Sequence, residues 1–356
     1  MYCVVMAGGS GTRFWPKSRE NKAKQFLRMF GKDSLIQSTV KRFEKIVGWD
    51  HIYIVAKSKQ ETLIKEHAPK VPESNLLFEP LGKNTAPCIG LAAIHIAKKD
   101  PNAVLVISPA DHLVKKQGQF HKVIKAAAQL AEEKDALVTI GIPPTRPSTG
   151  YGYIQINGEK RKLHQVDTYR IKTFAEKPNV ETATRFLESG DFYWNSGIFI
   201  FKASVILNAI EEYLPDLHDT LMEIQSRINC DDFAYILDRA YHQIKSISID
   251  YGVMERAQNV FMIKGDFAWN DLGSWDQVCK LSSQDNQGNS TLGNALLIDT
   301  KNSYISSDNG VVAVLDMEDI VVVREGDAVL VCKRNRSEDV RQIVDRLKKE
   351  KLNDYI

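Results

Sequence analysis

At 356 residues, with 43% hydrophobic and 26% charged side chains, the chain has the composition of a soluble globular protein and the length of about two domains. Its 47 basic residues nearly balance 45 acidic ones, leaving a net charge of +2 and no surplus for nucleic acid or a membrane surface, so a basic cluster must match a small anion. Five scattered cysteines without CxxC spacing speak against a zinc site or a disulfide framework and fit a reducing cytoplasm, while no basic leader and no apolar run near ~18 residues points to secretion or a membrane span.

The first apolar run, YCVVMA, leads into GGSGTR, Gly8 to Arg13. A dinucleotide fingerprint fails here, because Phe14 stands where the third glycine belongs, and no Walker A string occurs anywhere. What remains is a glycine loop followed by Arg13, Lys17, Arg19, Lys22 and Lys24. Crowded glycines let backbone N–H groups converge on an anion, and Arg and Lys pair with phosphate oxygens. Taken alone, the loop reads equally well as a tight turn beside a solvated basic face.

Apolar runs then alternate with helical patterns: a helix near 34–47, a strand at 51–56, a helix near 58–67 and a strand at 75–80. A helix near 86–98, a strand at 103–108, a helix near 118–133 and a strand at 136–142 follow. This alternation predicts an α/β, Rossmann-like, mostly parallel sheet, whose ligands bind beyond the carboxyl ends of the strands. Polar residues stand at those ends: the glycine loop, then Glu79 with Asn84 and Thr85, then Ser108 to His112 including Asp111. Asp111 alone would also suit a helix cap.

Beyond 145 the texture changes. STGYGYIQI, 169–178 and 192–203 predict antiparallel strands and an aromatic-rich segment laid over one end of the sheet. Helices at 204–212, 216–227 and 231–240 precede strands at 246–256, ending at Asp250, and at 259–275. Five short apolar runs without intervening helices and a charged helix at 337–350 predict a small β-rich domain. The expected division is 1–283 and 284–356.

If the loop holds a phosphate chain, the crowded charge calls for a divalent cation, and Mg²⁺ favours one or two carboxylates plus phosphate oxygens. Asp111 and Asp271, the latter in WNDLGSW, are the candidates; Asp271 also fits a simple turn. Glu176-Lys177, Asn195-Ser196-Gly197 and Asp250-Tyr251-Gly252 supply paired hydroxyl-binding groups beside an aromatic wall, with Lys177 left for an anionic substituent. No Ser-His-Asp arrangement accompanies them.

The ordered motifs VVMAGGSGTRFWPKSRENKAKQF, FEPLGKNTAP, VISPADH, GYGYI, FAEKP, WNSGIFIF, SIDYGVME and WNDLGSW closely resemble the bacterial mannose-1-phosphate guanylyltransferases, or GDP-mannose pyrophosphorylases, of the sugar-nucleotidyltransferase superfamily. The resemblance runs from residue 2 to about 275. It implies a nucleotidyltransferase domain of GT-A-like topology followed by a short β-helix-like domain, without the fused phosphomannose isomerase domain of longer bifunctional members.

The resemblance implies roles residue by residue. Ala7, Gly8, Gly9, Ser10, Gly11, Thr12 and Arg13 would wrap the triphosphate of GTP, with Arg13 and Lys24 neutralising the departing phosphates. Glu79, Asn84, Thr85, Ser108 and Asp111 would complete the nucleotide site, with Glu79 and Asn84 selecting guanine. Asp111 and Asp271 would hold Mg²⁺. Gly152, Glu176, Asn195 and Asp250 would face the mannose, and Lys177 its 1-phosphate. Two positions depart from the pattern: Ala23 replaces the usual Pro, and Lys83 replaces a frequent Arg, putting a point charge where a bidentate fork stood.

The implied reaction is attack of mannose 1-phosphate on the α-phosphorus of GTP with loss of pyrophosphate. The nucleophile is already an anion, so positioning and charge neutralisation suffice. Rival readings are a nucleotidyltransferase for a manno-heptose or glucose 1-phosphate, a non-catalytic sugar-nucleotide sensor, and a glycosyltransferase. A cytoplasmic homodimer without nucleic-acid or membrane partners is expected.

Overall fold

A computed structural model describes residues 1–9, 11–163 and 166–356. The chain packs as two compact units, Met1–Gly8 with Thr39–Asn270 and Gly9–Ser38 with Asp271–Ile356.

The first unit follows the predicted alternation: β1 (Tyr2–Met6), α1 (Leu35–Val47), β2 (Ile52–Lys57), α2 (Glu61–His67), β3 (Leu76–Glu79) and α3 (Thr85–Ala97). Next come β4 (Val104–Pro109), β5 (Leu113–Val114), α4 (Gln117–Lys134), β6 (Leu137–Ile142), β7 (Tyr153–Leu163), β8 (Val166–Ala175), α5 (Val180–Ser189) and β9 (Phe192–Lys202). Helices α6 (Ala203–Tyr213), α7 (Pro215–Arg227) and α8 (Phe233–Gln243) lead to β10 (Val260–Lys264) and β11 (Trp269–Asn270). Nine strands form one sheet in the order β3-β2-β1-β4-β9-β6-β10-β8-β7, and only β8 and β9 run against the rest.

Two expectations are corrected here. The 192–203 segment does not lie over one end of the sheet: β9 is inserted at its centre, between β4 and β6. Ile198, Phe199, Ile200 and Phe201 are all buried, and a strand covered on both faces belongs inside a sheet. Nor does 246–249 form a strand ending at Asp250. Ile247 instead donates its N–H to the Lys83 carbonyl at 3.2 Å, Ile249 donates to Thr85 Oγ1 at 2.8 Å, and Asp250–Met254 closes a π-helical turn.

Helix α3 is apolar all round and buried from Ala86 to Ile94, so it forms the centre of the helical layer. Gly90 permits Leu221 of α7 to lie against the α3 backbone, where any Cβ would collide. Each fully buried Leu or Ile in this layer contributes about 1.5–3 kcal/mol.

The second unit comprises α9 (Trp275–Leu281), β12 (Ser290–Ile298), β13 (Tyr304–Leu315), β14 (Ile320–Glu325), β15 (Ala328–Lys333) and α10 (Val340–Lys349), together with the loop segment 9–38. Ser290 pairs with Tyr304 and Tyr304 with Val321, all in parallel. Parallel neighbours this close in sequence leave no room for a helical crossover, so the chain coils as in a β-helix around Ile305, Val314, Ile320 and Val322. Four strands, not five, make this sheet, because SYISS and VVAVL are two arms of β13, bent where the register jumps near Asp308-Asn309-Gly310. The loop segment is fastened to this unit by fully buried Trp275, whose ring meets Phe14 at 5.1 Å and Tyr304 at 5.6 Å, and whose Nε1 donates to the Trp15 carbonyl at 3.2 Å. Among the described residues, no helix is long and apolar enough to cross a membrane.

Candidate active site

In the second unit, Gly11 holds a left-handed φ of 65°. A Cβ there would stand 2.5 Å from Lys24 Cβ and 2.6 Å from the Lys24 backbone nitrogen, so only glycine fits without displacing backbone. Its carbonyl accepts from Phe14 N–H at 3.0 Å and Ser18 Oγ at 2.6 Å, which closes the loop into a single turn, Thr12–Phe14, carrying exposed Arg13. Gly9 is exposed, and Ser10 lies outside the described residues. Lys24 is buried and donates from Nζ to the Asp271 carbonyl, joining two sequence candidates 247 residues apart. Gly273 lies close to the Asp271 carboxylate: a Cβ there would stand 3.4 Å from Oδ2, an ordinary contact distance.

In the first unit, Ala7 is buried and donates to the Val55 carbonyl at 2.8 Å, fixing where β1 releases the chain. A Cβ on Gly8 would lie 3.9 Å from Glu79 Oε2. Glu79 is itself buried, accepts from the Tyr241 hydroxyl at 3.2 Å, and has its carboxyl pushed up to about 7 by burial, against the opposing influence of Tyr241 and Lys57. Asn84, exposed, spends Oδ1 on the Thr85 N–H at 2.9 Å as the cap of α3. Thr85 braces the Asp250 turn through Ile249, so both residues carry structural bonds. Ser108 is buried within β4.

Asp111 and His112 follow β4 and are held by a buried scaffold. Ala110 donates to Met6, its carbonyl accepts from Thr39 Oγ1 at 3.1 Å, and Arg42 donates to the His112 carbonyl at 3.2 Å. Trp269 Nε1–H donates to His112 Nδ1 at 3.1 Å. That bond places the proton of a neutral imidazole on Nε2, which lies 3.8 Å from Asp111 Oδ1.

A separate cluster gathers the sugar-facing candidates. A Cβ on Gly152 would run into Glu176 Oε2, and the Gly152 carbonyl accepts from the Asn195 N–H at 2.8 Å. Asn195 Nδ2 donates to Asp250 Oδ1 at 2.8 Å, while its Oδ1 accepts from Thr139 Oγ1 at 3.0 Å. Burial, reinforced by the Glu176 charge, pushes the Asp250 carboxyl up to about 6. Lys177, mostly exposed and at a left-handed φ of 48°, pairs with Glu176 Oε1 at 2.6 Å and donates its backbone N–H to the Tyr151 carbonyl. Tyr151 and Trp194 wall this cluster, their rings 4.9 Å apart.

The structure thus joins Gly152, Glu176, Lys177, Asn195 and Asp250 in one cluster, and Gly11, Lys24 and Asp271 in another. Two supporting residues escaped the sequence reading. Thr139, a polar intrusion in ALVTIGI, was a visible signal; Tyr241 sits 162 residues from Glu79 and left none. Paired acceptors and donors of this kind suit sugar hydroxyls, and the loop with Lys24 suits phosphate.

Nucleotidyl transferases match residues 2–288 as a family, and the MannoseP isomerase/GMP-like beta-helix domain matches residues 293–347. An Escherichia coli mannose-1-phosphate guanylyltransferase is 37% identical over 359 residues, covering 99% of this chain and 75% of that protein. One from Klebsiella pneumoniae is 37% identical over 355 residues with the same coverage. The crystal structure of a Thermus thermophilus protein described as a mannose-1-phosphate geranyltransferase superposes with a TM-score of 0.88 at 34% identity, covering 98% of this chain and 99% of that one.

Proposed function

The chain belongs to the mannose-1-phosphate guanylyltransferase family of nucleotidyl transferases, and from that premise we propose how its residues transfer GMP from GTP to mannose 1-phosphate, giving GDP-mannose and pyrophosphate. A phosphate oxygen of the sugar phosphate forms a bond to the α-phosphorus of GTP, the bond from that phosphorus to the β-phosphate oxygen breaks, and pyrophosphate leaves. Catalysis rests on holding two anions in line and balancing their charge. The observation that carries this reading is the Gly11–Lys24–Asp271 arrangement, in which a residue without a side chain lies against a buried lysine whose ammonium is held on the Asp271 backbone carbonyl.

In this reading Ala7 to Arg13 line the triphosphate, and Arg13 and Lys24 neutralise the β- and γ-phosphates. Guanine approaches over Gly8, where no side chain blocks Glu79; the carboxylate accepts from N1–H and N2–H₂, and the Asn84 amide, with its oxygen spent on the cap, donates to O6. Thr85 and Ser108 position the neighbouring backbone. Glu176, Asn195 and Asp250 bond the mannose hydroxyls over Gly152, and Lys177 leaves Glu176 to meet the 1-phosphate.

Among the described residues no cluster of three or more His, Cys, Asp or Glu could hold a metal alone. Mg²⁺ favours one or two carboxylates together with substrate phosphate oxygens, and Asp111 and Asp271 are the carboxylates assigned to it in this reading. Bound there, it would neutralise phosphate charge during displacement. The catalytic portion is proposed as 1–283 and the β-rich domain as 284–356, in a cytoplasmic protein. The outward face formed by Leu296, Ile298, Val311 and Leu315, each 49–65% exposed, supports a homodimer through the β-rich domain.

The test is pyrophosphate release with GTP, ATP, UTP and dTTP crossed against mannose, glucose and manno-heptose 1-phosphates. GTP with mannose 1-phosphate is expected to turn over fastest; no release in any combination would leave the sensor reading standing.

A further inference from the structure

Apart from the candidate site residues, the first unit holds a cavity of ≈ 550 Å³ between the α6–α7 junction and the segment that follows α8. That volume falls within the roughly 300–1,000 Å³ typical of small-molecule pockets. Its apolar lining comes from Leu214, Leu217, Ile244 and Ile247. Thr220 of α7 and Lys245 add polar groups. Lys245 Nζ meets Asp216 Oδ2 at 3.1 Å, but both side chains are more than four-fifths exposed, and such a surface pair is worth only about 0–1 kcal/mol. An incoming anion can compete for Lys245, and the Asp216 carboxylate it displaces, which also lines the cavity, is exposed enough to be solvated by water.

Two lining residues lead directly to the sugar cluster. A Cβ built on Gly252 would stand 2.8 Å from Leu214 Cδ1 and 3.5 Å from Ile247 Cδ1, so these side chains already touch the backbone of the turn that carries Asp250. Ile247 also donates its N–H to the Lys83 carbonyl and accepts from the Ala86 N–H, gripping the start of α3. Well-packed contacts transmit displacement because interiors have little slack. A ligand that spreads Leu214 and Ile247 therefore moves Gly252 and strains the 2.8 Å bond between Asp250 and Asn195.

From this geometry we infer that the cavity is a regulatory site for an anionic amphiphile, an apolar or aromatic body carrying one acidic group, whose binding weakens the hold on the sugar phosphate. The coupling half of this inference rests on Asp250 being a sugar-binding residue; the binding half does not. The probe is 1-anilinonaphthalene-8-sulfonate, an aromatic body with a sulfonate. Fluorescence titration of the full chain should give one saturable site, lost in Thr220→Trp, which fills the cavity, and weakened in Lys245→Ala. Saturating probe should raise the KM for mannose 1-phosphate by about fivefold or more, the low end of ordinary coupling, with the KM for GTP moved less. Thr220→Trp should keep the basal rate and lose the probe effect.

Probe binding that survives Thr220→Trp with unchanged affinity places the site elsewhere and overturns the inference. Binding lost in that variant, with no probe effect on the wild-type KM, overturns the coupling. An Asp250→Asn control separates the premises: if it leaves the KM for mannose 1-phosphate unchanged, the sugar-site reading fails while the titration still reports on the cavity.

Discussion

Asp250 occupies a position where function and stability pull apart. Its carboxyl titrates at about 6 rather than the ordinary 3.8, because burial and the nearby Glu176 charge disfavour the ionised form. For a carboxyl raised from 3.8 to about 6, carrying the charge in the folded state at pH 8 costs about 3 kcal/mol. Asp250→Asn removes the charge and keeps an oxygen that can accept from Asn195 Nδ2. The variant should gain about 1–3 kcal/mol at pH 8, allowing for imperfect replacement, and its Tm should rise by roughly 2–4 °C per kcal/mol. Because the folded pKa is raised, the wild-type protein is relatively stable below the ordinary value and loses that advantage as pH climbs through about 6. The gap between the two proteins should thus be widest above pH 7 and about halved at pH 5. On the proposed role of Asp250, the same substitution should also remove a charged partner for a mannose hydroxyl, worth about 1.5–3 kcal/mol, or roughly 10- to 150-fold in kcat/KM for mannose 1-phosphate. Thermal denaturation across pH 5–8 and steady-state pyrophosphate release measure both effects. A variant that is less stable at pH 8, or equally active, would refute the reasoning.

Asp111→Ala should retain its folding transition and lose about 10²- to 10³-fold in turnover, as expected for removal of one preorganised charge-stabilising group; near-normal turnover with magnesium would remove Asp111 from the metal site. Glu79, half ionised near pH 7, must be charged to accept two guanine donors, so the KM for GTP should climb as pH falls below 7. In Glu79→Gln that climb should disappear and the preference for GTP over ATP should narrow; a variant with unchanged preference excludes Glu79 from base selection.

The parallel half of the sheet was legible because each buried strand is a continuous run such as AVLVIS, and a helix separates each from the next. Strand-end logic singled out Glu79, Asn84 and Asp111 as candidates from the sequence alone. Local pattern failed where partners are remote. SISID alternates like a strand, yet its backbone bonds go to Lys83, Ala86 and Thr85, and that neighbour is invisible in the segment itself. The place of β9 at the sheet centre depends on an antiparallel insertion between β4 and β6, which periodicity does not specify. Helix α5 did leave a signal: Asn179 caps it through a 2.9 Å bond to the Thr182 N–H. The packing of the glycine-loop segment on Trp275 is a long-range aromatic contact, and only the fold exposes it.

A crystal structure of the protein with GTP and Mg²⁺ reads the proposed chemistry without an assay. The triphosphate should follow the backbone from Gly8 to Arg13, with Lys24 on its outer phosphates and one metal ion bound by both Asp111 and Asp271 at about 2.0–2.1 Å. A triphosphate lodged away from that loop, or a metal touching neither carboxylate, would contradict it.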